Sequence, residues 1–181
     1  MNLNNWFDKG LLTDEYEKQL DDHKDNYYNI FNNYEVPEDE EFFSQLKNKN
    51  WRAIVLAEVW CGHCMLNIPI FLKIAEKANM PVRFLNRDEN LELMDEYLTN
   101  GNRVIPIFIF IDEDGNEVAK WGPMAETTRK FVAPLRENIP PKDDETYEEK
   151  FREMVKITSK EFSSNEELWN GVYESFKETL S

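Results

Sequence analysis

Both cysteines of this chain lie within one run of five residues, Trp60-Cys61-Gly62-His63-Cys64, and the pattern on either side limits what can hold them. Before them comes Ile54-Val55-Leu56-Ala57, continuing to Val59 and apolar on both faces, as in a strand covered on both sides. After them, Gly62 to Ala78 carries Met65, Ile68, Phe71, Leu72 and Ala75 at helical spacing, with Pro69 inside to kink the helix. A strand that delivers two thiols, three residues apart, to a helix N-terminus is a strand–turn–helix unit suited to thiol–disulfide chemistry.

The rest of the chain builds around that unit. Val82-Arg83-Phe84-Leu85 reads as a second strand and Glu89 to Leu98 as a helix, completing a βαβα order that implies a parallel pair. Ile105 to Ile111 is an apolar strand, Asp114-Gly115 a tight turn, and Glu117 to Trp121 the returning strand of a hairpin. Gly122-Pro123 breaks it, and 125–138 is a helix. Upstream, 13–34 reads as one long amphipathic helix with Thr13 as N-cap, and 38–48 as a short one. Downstream of Pro140-Pro141, Tyr147, Phe151 and Met154 form a stripe. Ser164 to Glu167 resembles a capping box opening a last helix with Leu168, Val172, Phe176 and Leu180 on one side. The expected organisation is an N-terminal helical extension (1–37), a central α/β unit (38–140) and a C-terminal helical extension (141–181).

A net charge of −15 argues against binding nucleic acid or an anionic membrane, both of which need basic patches. No signal peptide is visible, and no run approaches the ~18 apolar residues that span a membrane. Two cysteines in one motif give no disulfide framework, so a cytosolic protein is expected. Structural zinc usually takes four ligands, and only His63 and the distant His23 could add nitrogen to the cysteines; no metal or other cofactor is expected. His23, on the apolar side between Leu20 and Tyr27, reads as a packed, hydrogen-bonded histidine.

Taken together, these landmarks resemble the thioredoxin family: Trp-Cys-x-x-Cys after a strand, Pro69 five residues beyond Cys64, Arg103-Val104-Ile105-Pro106, the Asp114-Gly115 hairpin and Gly122. The resemblance covers roughly residues 38–138. With its long flanking helices, the chain is similar to extended thioredoxin-like bacterial proteins. It implies a central mixed four-stranded sheet flanked by helices, with Cys61 as nucleophile and a buried Cys64 as the resolving thiol. It also implies a cis Pro106, and a substrate surface of Trp60, Gly62, Ile105, Pro106 and Gly122. Trp60 is expected to shield the site and pack beneath it.

Two features set this motif apart. His63, when protonated, would stabilise the Cys61 thiolate and make the disulfide a stronger oxidant than a Gly-Pro version. The buried acid–lysine pair that many thioredoxins carry is replaced by Val55 and Phe84. This leaves Glu58 as the acid nearest in sequence for relaying the proton of Cys64. The expected activity is thiol–disulfide exchange on protein or small-thiol disulfides, with electrons from a reductase or a low-molecular-weight thiol. The alternative is a redox-sensing interaction module whose terminal helices bind a partner or a second copy of the chain. The apolar stripes of those helices must pack on the core, on each other or on a partner.

Overall fold

The computed structural model describes residues 1–181. Four strands, β1 (Arg52–Ala57), β2 (Val82–Asn86), β3 (Ile107–Ile111) and β4 (Glu117–Trp121), form one sheet in the order β2-β1-β3-β4. β1 and β2 are parallel, joined through the helix Gly62–Lys77; β3 is antiparallel to both β1 and β4. Every residue of β3 is buried, as expected of a central strand covered on both faces. It starts at Ile107 rather than Ile105, after the cis Ile105–Pro106 bond, because proline has no N–H to give the ladder. Asp112 Oδ1 closes the hairpin by accepting from the N–H groups of Asp114 (3.0 Å) and Asn116 (2.8 Å).

In chain order the helices are α1 (Asn4–Lys9), α2 (Thr13–Glu17), α3 (Lys24–Asn33), α4 (Glu40–Asn48), α5 (Gly62–Lys77), α6 (Leu91–Met94), α7 (Glu126–Glu137), α8 (Tyr147–Ser164) and α9 (Glu166–Leu180). The single helix expected over 13–34 is two, α2 and α3, and α1 precedes them. A straight helix of that length would run about 33 Å. Instead the chain turns over Lys18–His23, through the weak helix formers Asp21 and Asp22, and the Tyr27 hydroxyl closes the corner by donating to Glu17 Oε1 (2.9 Å). Leu12, not Thr13, stands at the start of α2, its N–H donating to Glu15 Oε2 (2.7 Å). The helix expected over 89–98 is only the short α6 between two 3₁₀ turns, pinned by Asn90 Nδ2 on the Asn86 carbonyl and by the Tyr97 hydroxyl on Glu117. Asn165 caps α9, accepting from Glu167 and Leu168 N–H; Ser164 instead ends α8 with its hydroxyl on the Lys160 carbonyl.

The terminal helices share one contiguous core with the sheet, from Leu3 to Leu180. Leu11 exchanges two backbone hydrogen bonds with Phe84 of β2 (2.8 and 2.9 Å), bringing α2 onto the sheet so that the Tyr16 ring stacks on Phe84 at 4.4 Å. From the other end, Phe176 of α9 stacks on Trp121 (4.0 Å) and meets Phe71 and Phe108 edge-on or tilted. Full burial of such a ring is worth about 1.5–3 kcal/mol. Trp121 Nε1 adds a bond to Ser175 Oγ (2.8 Å). No helix is long and apolar enough to cross a membrane.

Candidate active site

β1 ends at Ala57, and Glu58-Val59-Trp60 turn the chain so that Cys61 is the N-cap of α5. Its Sγ accepts from the Cys64 N–H (3.3 Å) and lies 3.7 Å from the Ile105 carbonyl. Both cysteines are free thiols; Cys61 keeps 8% of its surface and Cys64 1%, so one thiol borders solvent and the other is behind it. Unpaired amides and the positive end of the dipole favour a thiolate at such a position. The pKa of Cys61 is lowered, chiefly by a hydrogen bond from the Cys64 thiol. Burial opposes this, and the N–H groups of Cys64 and His63 and the Arg87 charge assist it. The Cys64 thiol is pushed well up by burial, then by its bond to Cys61 and the Cys61 charge.

Ile105 and Pro106, joined by a cis bond, bring their backbone to Cys61. Gly122 makes this possible from the far side: its φ is +130°, and a Cβ there would lie 2.3 Å from the Pro106 carbonyl. Gly62 opens α5 with free space around its Cα.

Trp60 differs from the expectation. The residue is 57% exposed, because it follows the strand end and points outward; Arg87 lies over its ring at 5.0 Å. It does not pack beneath the site. Its carbonyl instead meets His23 Nε2 at 3.1 Å, so the histidine of the N-terminal extension reaches the motif itself.

His63 also departs from expectation. Burial and then the nearby Arg136 charge hold its pKa down to about 4, so the imidazole is neutral at pH 7. Arg136 Nη2 is 3.4 Å from His63 Nε2; a guanidinium only donates, so Nε2 accepts and the proton resides on Nδ1, which is buried without a partner. The support His63 gives to the Cys61 thiolate therefore comes from its peptide N–H, not from an imidazolium charge.

Glu58 is buried, its Oε1 accepting from Asp88 N–H (2.9 Å). Burial raises its pKa, and its charge is among the influences raising that of Cys64. Val55 and Phe84 are partners across the β1–β2 ladder, and the Tyr16 ring stacks on Phe84. The Tyr16 hydroxyl is held protonated by burial first, and then by the charges of Cys64, Cys61 and Glu58. Tyr16 falls in the stretch that reads as one amphipathic helix over 13–34, and nothing local in the sequence brings it near the thiols. No group of three or more His, Cys, Asp or Glu side chains is arranged to hold a metal ion.

On the opposite flank a cleft of about 470 Å³ opens beside Gly62 and His63, between α7 and α8. Val132, Ile139, Phe151 and Phe162 supply apolar walls, and Arg136 is on its lining.

No curated protein matches the sequence. Among solved structures, a protein of unknown function from Pseudomonas aeruginosa, PA1234, is 13% identical with a TM-score of 0.60, covering 87% of this chain and 92% of that one. An HIV 4E10 epitope-scaffold is 13% identical with a TM-score of 0.61, covering 99% of each chain. At such identities the likeness is one of fold. The thioredoxin family model matches residues 10–139, a span that takes in the Cys61–Cys64 turn, the Ile105–Pro106 segment and the N-terminal helices that reach Phe84 and Trp60. With the β2-β1-β3-β4 sheet and the two thiols at the head of α5, this match makes the chain a member of the thioredoxin family.

Proposed function

We propose that this protein is a thiol–disulfide oxidoreductase acting through Cys61 and Cys64. The observation that carries this is the Cys61 thiol at the α5 N-cap, with a lowered pKa, backed by a buried Cys64 whose N–H points to it. The Cys61 thiolate attacks one sulfur of a substrate disulfide, forming a mixed disulfide, and the departing thiolate takes a proton from solvent. The Cys64 thiol then loses its proton and attacks Cys61 Sγ, closing the Cys61–Cys64 disulfide and releasing the second substrate thiol. Two electrons have passed to the substrate; a reductase or a small thiol restores them. Glu58 is proposed as the acceptor for the Cys64 proton: it is buried, its pKa is raised, and it is within electrostatic reach of that thiol. Gly62, Ile105, Pro106, Gly122 and the exposed Trp60 would form the surface that receives an extended substrate. A reducing compartment such as the cytosol suits this chemistry.

The interaction-module alternative draws less support, because α2, α3 and α9 spend their apolar stripes on the core; only α8, with Phe151 and Val155 exposed, leaves part of its stripe bare. The test is disulfide reduction by the wild-type chain combined with trapping on Cys64→Ser. Turnover with several mixed-disulfide partners supports the enzyme; absence of turnover with one stoichiometric partner replaces it with the module.

A further inference from the structure

The cleft between α7 and α8 is not the groove of Ile105, Pro106 and Gly122, and thiol exchange does not require it. Its volume of about 470 Å³ is in the range that encloses a small molecule, roughly 300–1,000 Å³. Its walls are aliphatic and aromatic, and two of them, Phe151 and Val155, are 40% and 42% exposed, so apolar surface here is left uncovered. The polar side chains are few: Arg136, His63, Tyr147 and Thr158, whose hydroxyl is spent on the Met154 and Val155 carbonyls. Arg136 pairs with no carboxylate, although the chain has 36 acids to 21 lysines and arginines; its one side-chain hydrogen-bond partner is His63. The other ring nitrogen of His63, Nδ1, is buried without a partner. Such a site offers the donors and positive charge of one guanidinium beside an apolar trough whose lining holds no carboxylate.

We propose that this cleft is a binding site for a small amphipathic carboxylate, its apolar part between α7 and α8 and its carboxylate on Arg136. Guanidinium and carboxylate match in a two-point hydrogen-bonded geometry, which the exposed Arg136 offers at the mouth of the trough. A bound ligand would lie against Gly62 and His63, the two residues between the cysteines. The proposal goes beyond thiol exchange and does not depend on it.

The test is calorimetric titration of the full chain with octanoate, 1-octanol and octylamine, in the wild type and in a Cys61→Ser/Cys64→Ser variant that removes redox chemistry. Octanoate should bind with one-to-one stoichiometry in both. Its affinity should fall roughly tenfold in Arg136→Gln and for uncharged octanol, the loss of one charge-assisted pair. Phe151→Ala should weaken octanoate and octanol alike, and Arg129→Gln, an exposed arginine ion-paired with Glu126 on the same helix, should change nothing. Absence of octanoate binding, or equal affinity in Arg136→Gln, overturns the proposal. So does a sedimentation result in which Phe151→Ala dissociates a dimer that octanoate leaves intact, since the trough would then receive a second copy of the chain. Failure of disulfide turnover together with octanoate binding would remove the redox function and leave this site standing.

Discussion

The two flanks of the Cys61–Cys64 turn are built by opposite ends of the chain, and they are finished differently. On the N-terminal flank, Tyr16 is stacked on Phe84, Leu11 is bonded to β2 and His23 holds the Trp60 carbonyl. On the C-terminal flank, α8 stands off α7 and leaves Phe151 and Val155 partly bare around Arg136 and His63. The first flank is packed and bonded to β2 and to the turn before Cys61. The second leaves room and unspent hydrogen-bonding capacity. The N-terminal helices thus join the interior, as α9 does, whereas α8 keeps part of its apolar side bare.

Four measurements would sharpen or break that contrast. The largest effect is expected at Tyr16: Tyr16→Ala empties a fully buried ring site and should cost about 3–5 kcal/mol in urea denaturation. A loss no larger than that of a surface substitution would mean the N-terminal flank is not part of the core. Next, Glu58→Gln should slow closure of the Cys61–Cys64 disulfide about a hundredfold, measured by stopped-flow resolution of a mixed disulfide. An acceleration would mean that Glu58 only repels the Cys64 thiolate and accepts no proton.

The third concerns pH. His63 has a folded-state pKa of about 4 against an ordinary 6.5. Between these values the unfolded chain binds the extra proton and the folded chain does not, so stability falls as pH drops from 6.5 toward 4. The loss attributable to this group should be roughly 2–3 kcal/mol, and His63→Ala should flatten that part of the profile. An unchanged slope would show that the imidazole is solvated. The same variant should leave the pH dependence of Cys61 alkylation intact, because its N–H remains, whereas His63→Pro, lacking that N–H, should move it upward. The smallest effect is Phe151→Ala, expected within about 0.5 kcal/mol because the ring is largely outside the core; a large loss would erase the difference between the flanks.

Pattern alone delivered the sheet and α5, since Ile54-Val55-Leu56-Ala57 and Ile107 to Ile111 are strands under any reading of their periodicity. It misjudged 13–34 because Tyr16 and Tyr27 both face inward, at a spacing that a continuous helix would also satisfy; the turn at Lys18–His23 preserves the phase while redirecting the chain. The thiol pair was legible, being local. Its modulators were not. Tyr16, His23 and Arg136 lie 45, 38 and 75 positions from Cys61, and only the packed structure brings them to it. The charge of His63 was misjudged for a related reason: its residue type suggests a cation at mildly acid pH, while burial in the packed structure, and then Arg136 far along the chain, prevents one.

The pairing of Leu11 with Phe84 has a consequence for association. β2 and β4 are the two edges of the sheet, and an open edge is a template on which other chains can pair and aggregate. Leu11 occupies the backbone groups of Phe84 at the middle of β2, while β4 presents the charged Glu117 and Lys120. A chain crowded in solution therefore finds one border of the sheet interrupted and the other charged, and its route into fibrous assemblies is obstructed at both.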